Sequence, residues 1–137
     1  MGSGSLTLLL DTHILLWWLG DVDRLSAVQA RALEHAATAG ECVGVASVTL
    51  WEIAKLAERG RIQLAQTVDV ILNEVERHRA IAVLPLTAQI AIESTRLGDR
   101  LPSDPTDQLI VATARVHGLQ LLTADERIRK SGAVPVI

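Results

Sequence analysis

Four short runs of this chain are apolar without the regular polar alternation of a half-exposed strand, and helix-length segments separate them. They are residues 6–10 (LTLLL), 42–46 (CVGVA), 80–84 (AIAVL) and 119–122 (LQLL). A strand with one face in water alternates apolar and polar residues, whereas a strand covered on both faces does not. Parallel strands also need long crossovers, and the intervening segments are long enough to supply them as helices. The chain is therefore constrained to the α/β class, with a mostly parallel sheet covered on both faces.

The punctuation between the runs agrees. Residues 13–19 read as a helix closed by Gly20, and residues 26–39 as a second, with Ser26 as N-cap and Gly40 as its stop. Ser47 suits the cap of a helix over residues 48–59 that ends at Gly60 and buries Leu50, Ile53, Ala54 and Ala57. Residues 67–79 are helical, Pro85 ends the third strand, and Thr87 caps a helix running to Leu97. After the loop GDRLPSD, Asp104 and Pro105 start a helix through residue 117, closed by Gly118. Residues 124–130 make a short helix, and residues 134–137 offer a last edge strand. A length of 137 residues suits one domain, over residues 6–137, while MGSGS at residues 1–5 reads as a flexible added tag.

Sites in such sheets lie beyond the carboxyl ends of the strands, near the point where the strand order reverses. Asp11 and Asp125 fall at or just past strand ends, Asp107 on the first turn of the helix before the fourth strand, and Glu52 on the helix after the second. Three of them have an ordinary explanation. Asp11 serves equally as a helix cap, Glu52 as the partner of Lys55 three residues on, and Asp107 as a first-turn acid behind the Asp104 cap. Thr123 with Glu126 forms a T-x-x-E capping box, which leaves Asp125 free of that task. If the fold gathers these acids, they meet without a basic partner from their own motifs. Two unit charges about 4 Å apart repel by roughly 4 kcal/mol at an effective dielectric near 20, so such a cluster calls for a hard divalent cation.

The stretches LLLDTHILLWWL, ASVTLWEIAKL, DPTDQLIVATA and LLTADERI span residues 8–128. In kind and order the set resembles the PIN-domain family of metal-dependent ribonucleases, particularly its VapC-like toxins. The resemblance implies a three-layer α/β/α sandwich and an acidic pocket made by Asp11, Glu52, Asp107 and Asp125. It implies that these hold Mg²⁺ or Mn²⁺, with Asp11 and Asp107 as principal ligands and Asp104 and Thr123 in support. It further implies an endoribonuclease that is the toxin of a toxin–antitoxin pair. Its partners are then an RNA substrate, a cognate antitoxin whose tail blocks the pocket, and a second copy of the chain in a homodimer. The chain departs from one common pattern, carrying Gln108 where many relatives have Arg after the third acid.

Other chemistries fit less well. No G-x-S-x-G elbow supports a Ser/His/Asp triad, and no H-x-x-x-H or Cys/His pair supports zinc. A haloacid-dehalogenase-type phosphatase needs D-x-D, but His13 stands two residues after Asp11. A receiver domain needs an acid after its third strand, where this chain has LPL. The competing reading is a non-catalytic PIN-like module that binds RNA or protein. A net charge of −3 does not by itself announce a nucleic-acid binder, so a local basic rim is expected, with Arg24, Arg59, Arg61, Arg96 and Arg100 as candidates. Of the adjacent Trp17 and Trp18, one is expected at an interface, and His13 is expected to be a partly buried structural residue. Cys42 is the only cysteine and reads as a buried thiol. With no apolar run of about 18 residues and no signal-peptide pattern, the expected location is the cytoplasm, without membrane contact.

Overall fold

Each apolar run forms a strand, trimmed at its ends: β1 is Leu8–Leu10, β2 Val43–Ala46, β3 Ile81–Leu84 and β4 Gln120–Leu122. The computed structural model describes residues 6–101 and 104–137. The expected tag at residues 1–5 lies outside the described residues, as do residues 102 and 103 of the GDRLPSD loop. The strands are parallel throughout, in the order β3-β2-β1-β4. The chain steps outward from β1 to β3 and then returns to add β4 on the other side of β1. The strand order thus reverses between β1 and β4.

Seven helices cover the sheet among the described residues: α1 (Thr12–Gly20), α2 (Ala27–Thr38), α3 (Ser47–Glu58), α4 (Val68–Arg77), α5 (Ala88–Ser94), α6 (Pro105–His117) and α7 (Glu126–Ser131). The two-residue period of a strand survives in the direction of the side chains, although it is invisible in their polarity. Leu8, Leu10, Val43 and Val45 face one core with Ile14, Leu15, Leu33, Ile53 and Val75 from α1 to α4. Leu9, Ala46 and Leu121 face the other, with Ile110, Val111 and Ala114 of α6 and Ile128 of α7. This is the three-layer α/β/α sandwich, and each Leu or Ile buried in it contributes about 1.5–3 kcal/mol. None of the described helices is long and apolar enough to cross a membrane.

Most expected caps form. Ser26 Oγ accepts the Gln29 N–H at 3.0 Å while Gln29 Oε1 accepts the Ser26 N–H at 3.1 Å, completing a capping box. Asp104 caps α6 through the N–H groups of Thr106 and Asp107, and Gly118 closes it in the left-handed region at φ 67°. Several expectations need correction. Ser47 lies inside α3 rather than capping it, and its hydroxyl instead accepts the Leu86 N–H at 3.0 Å, tying the end of β3 to α3. On α3 the buried residues are Thr49 and Ile53, whereas Leu50, Ala54 and Ala57 are half-buried. The helix after Thr87 stops at Ser94, short of Leu97. Cys42 precedes its strand and is half-buried, with Sγ 3.5 Å from the Arg79 carbonyl. The last segment lies along the edge of β4 but forms a single parallel bridge, Val136 to Leu121, with the Leu121 N–H donating to the Pro135 carbonyl and the Ile137 N–H to the Leu121 carbonyl, both at 2.9 Å. Pro135 has no N–H to extend that pairing.

Gly44 in the middle of β2 shows how tightly the neighbouring strands β1 and β3 pack around it. A Cβ built there stands 3.2 Å from the Leu8 carbonyl oxygen and 3.2 Å from the Leu84 and Leu9 side chains. One of these neighbours is the backbone of β1, which cannot swing aside. Gly44→Ala is therefore expected to destabilise the protein by about 1–3 kcal/mol, as overpacking does. Urea unfolding with an unchanged m value and a lower midpoint checks this; an unchanged midpoint would contradict the packing.

Candidate active site

The reversal point of the sheet is where the acidic side chains arrive. The Asp11 N–H donates to the Leu122 carbonyl at 2.9 Å, so its backbone prolongs the pairing of β1 with β4. Its carboxylate is buried, with Oδ1 accepting the Thr12 N–H at 2.8 Å and Oδ2 accepting the Thr123 hydroxyl at 2.6 Å. Thr123 is itself held. Gln29 of α2 donates Nε2 to the Thr123 carbonyl at 3.1 Å and to the Ile137 carbonyl at 3.1 Å. A helix on one face of the sheet thereby fixes the residue that fixes Asp11.

Glu52 reaches the same place from α3, where its Oε1 accepts the Thr12 hydroxyl. Lys55 pairs with Glu58 at 3.2 Å instead, so the surface ion pair that would explain Glu52 away is not made. Asp107 is buried on the first turn of α6, its own N–H satisfied by Asp104 Oδ1 at 3.2 Å. Asp125 follows β4 and accepts the Arg127 N–H at 2.8 Å. Asp11, Glu52, Asp104, Asp107 and Asp125 all line one cavity of about 410 Å³, together with His13, Trp17, Ala124 and Arg127. Thr123 stands behind it.

Three sequence-based expectations change here. Thr123 does not cap the last helix: its proton goes to Asp11, its oxygen accepts the Asp125 N–H at 3.0 Å, and Asp125 becomes the cap. Asp125 is therefore both cap and cavity wall. The acids also have a basic neighbour from their own motif, because Arg127 Nη2 lies 3.0 Å from Asp125 Oδ2 and 3.5 Å from Asp107 Oδ2. And His13 is exposed on the cavity rim, tilted against Trp17 with ring centroids 6.2 Å apart. None of the five candidate arginines lines this cavity. Trp17 and Trp18 are both half-buried against the core, and the exposed tryptophan is Trp51 at 55 %.

Thr12 and Arg127 were missed in the sequence. Thr12 carries no local signal of its role, since only the crossing of α3 brings Glu52 to its hydroxyl. Arg127 had a signal, since a basic residue two positions after a capping acid can fold back onto it.

The electrostatics follow from this crowding. Burial pushes the Asp107 carboxyl up to about 7, assisted by Asp104, Asp11, Asp125 and Glu52 in that order. Burial and the neighbouring acids outweigh the attraction of Arg127, whose side chain is 59 % exposed and screened by water. Burial also raises Asp11, against the hydrogen bonds from Thr123 and Thr12, and raises Glu52, against that from Thr12. Asp125 alone is lowered, chiefly by its hydrogen bond from Arg127.

Among the described residues, no three His, Cys, Asp or Glu side chains are oriented to hold one metal ion as they stand. The chemistry of the cavity nevertheless suits one. Its donors are carboxylate oxygens, the preference of a hard divalent cation, and three of its acids are pushed toward the neutral form, chiefly by burial.

Comparison with known proteins agrees with this architecture. The PIN domain profile matches residues 8–133. Over 123 residues the chain is 39 % identical to Ribonuclease VapC22 of Mycobacterium tuberculosis strain H37Rv, covering 90 % of each protein. The fold is shared with the crystal structure of DNA-bound VapBC from Salmonella typhimurium, at 21 % identity and a TM-score of 0.68 over 97 % of this chain and 98 % of that one. It is shared too with VapBC2 from Rickettsia felis bound to a promoter DNA fragment, at 14 % identity and a TM-score of 0.71 over the same shares.

The raised carboxyls predict a pH dependence. Between 3.8 and about 7 the folded chain keeps a proton on Asp107 that the unfolded chain has released. The stability this confers is present at low pH and is lost as pH rises through about 7. In EDTA, the melting temperature is expected to climb as pH falls from about 8 to about 5, with Asp107→Asn flattening the climb and melting higher than wild type at the alkaline end. A wild-type melting temperature that is level or falls over this range would contradict the crowding.

Proposed function

This chain belongs to the PIN-domain family, and from that premise we propose that it is a metal-dependent endoribonuclease acting as the toxin of a toxin–antitoxin pair. The observation that carries the reading is the convergence of Asp11, Glu52, Asp107 and Asp125, from four separate segments, on one cavity at the reversal point of the sheet. The name of its 39 % identical relative, Ribonuclease VapC22, supports the same chemistry.

In the proposed mechanism Asp11 and Asp107 are the principal ligands of Mg²⁺ or Mn²⁺, and Glu52 and Asp125 complete the shell directly or through water. The bound ion supplies a water of lowered pKa and neutralises the charge that develops on the phosphodiester and its leaving oxygen. The chain's own work is to hold the ligands. Thr123 and Thr12 fix both oxygens of Asp11, so the carboxylate keeps one orientation with its remaining lone pairs toward the cavity. Thr12 holds Glu52 beside it, and Asp104 stiffens the first turn of α6 beneath Asp107. Arg127 Nη2 stands within reach of both Asp107 and Asp125, and its exposed guanidinium is the cationic group of the cavity available to a phosphate of the RNA.

On this reading the partners are an antitoxin protein and a second copy of the chain. The solved VapBC complexes of similar fold support the first. Exposed Trp51 supports the second, since tryptophan is enriched at protein interfaces. The reading also puts the protein in the cytoplasm, beside its RNA target.

Cleavage of a mixed RNA pool by the purified chain tests the proposal. Fragments are expected with Mg²⁺ or Mn²⁺, none with EDTA, and a loss of at least about 100-fold in Asp11→Asn or Asp107→Asn, a scale typical of removing charge stabilisation in a transition state. Equal cleavage by the variants, or cleavage in EDTA, would sink the mechanism.

A further inference from the structure

Next to the acidic cavity lies a larger groove, of about 860 Å³, between α1 with the turn that follows it and the segment from α3 into α4. The two share His13 and Trp17 as lining residues, so one opens beside the other. The groove carries an unusual pair. The Arg24 guanidinium lies over the Trp17 ring, its central carbon 4.9 Å from the ring centroid. Trp17 is half-buried against the core through its other contacts, so the pile has a rigid base. Arg61 lines the same groove, and among the described residues neither arginine forms an ion pair with an acid.

The charge of the groove argues against a general polyanion surface, because Asp21 and Glu74 also line it and balance the two arginines. What it offers is a planar cation held over an aromatic face. Guanidinium planes and aromatic rings are what unpaired nucleobases stack on, and stacking of this kind tolerates many sequences. A base within a duplex cannot use such a platform, so the fit is to a single strand. We infer that this groove is the path of the single-stranded RNA flanking the cleaved bond, with one base stacked on the Arg24–Trp17 pile and a nearby phosphate held by Arg61. The inference rests on the ribonuclease reading above and adds a substrate-positioning site to it.

The test is steady-state cleavage in Mn²⁺ of an unstructured RNA, chosen as the best-cleaved member of a random pool. Arg24→Ala is expected to raise KM about 10-fold, the scale of one lost stacking contact, while kcat stays within about two-fold. Arg24→Lys keeps the charge without the plane and should recover little of that loss. Arg61→Ala should lower the slope of log kcat/KM against log salt by about 0.7, one phosphate contact to a single strand. Unchanged melting temperatures confirm that the variants fold. Wild-type kinetics in Arg24→Ala and Arg61→Ala would overturn the proposal and leave the groove to a protein segment. Full rescue by Arg24→Lys would reduce the pile to a point charge and overturn the stacking. Failure of the wild-type chain to cleave any RNA would instead defeat the ribonuclease reading, and this inference with it.

Discussion

The hydrogen bond from the Thr123 hydroxyl to Asp11 Oδ2, 2.6 Å long, joins the carboxyl ends of β1 and β4 at the point where the strand order reverses. It does two things at once. It fixes a buried carboxylate that burial drives toward the neutral form, and it ties the last strand of the sheet to the first residue of the site. Behind it, Gln29 holds the Thr123 carbonyl and the carbonyl of Ile137, so α2 and the end of the chain are anchored to the same residue. A buried carboxylate with both oxygens bonded is worth keeping only if its charge is used, since a neutral polar group of similar size would avoid the burden of desolvation.

Much of the fold was legible in the sequence because the strands of a doubly covered parallel sheet are short, apolar and bounded by strong turn and cap residues. Ser26, Thr67, Thr87, Asp104 and Gly118 punctuate the helices where side-chain chemistry requires it. Misreadings fell where a residue had two possible jobs. Ser47 and Thr123 each suit a cap, but each hydroxyl is engaged with a distant partner, Leu86 and Asp11 respectively, and no local pattern announces a contact that the crossing of elements creates.

The site shows the same division. The acids and their supports Asp104 and Thr123 could be listed from the motifs, but the contacts of Thr12 and Arg127 could not. Thr12 meets Glu52 across 40 positions of sequence, and Arg127 reaches Asp107 across 20. Asp11, Glu52 and Asp107 each had an innocent explanation taken singly, and the meeting of all four acids in one cavity weighs against coincidence. The neighbouring groove with Trp17, Arg24 and Arg61 was likewise invisible as a unit, although two of its arginines stood among the candidates. The acidic cavity and the groove with the Arg24–Trp17 pair open beside each other along α1, sharing His13 and Trp17.

The account depends on the cavity taking up a divalent ion, and Mn²⁺ binding followed by electron paramagnetic resonance tests that without any assumption about substrate. The free Mn²⁺ signal should fall as the metal-free chain is added at neutral pH, and Asp11→Asn and Asp107→Asn should leave most of it in solution. The same loss of signal with wild type and both variants, or none with any of them at millimolar metal, would contradict the assignment of these carboxylates as ligands.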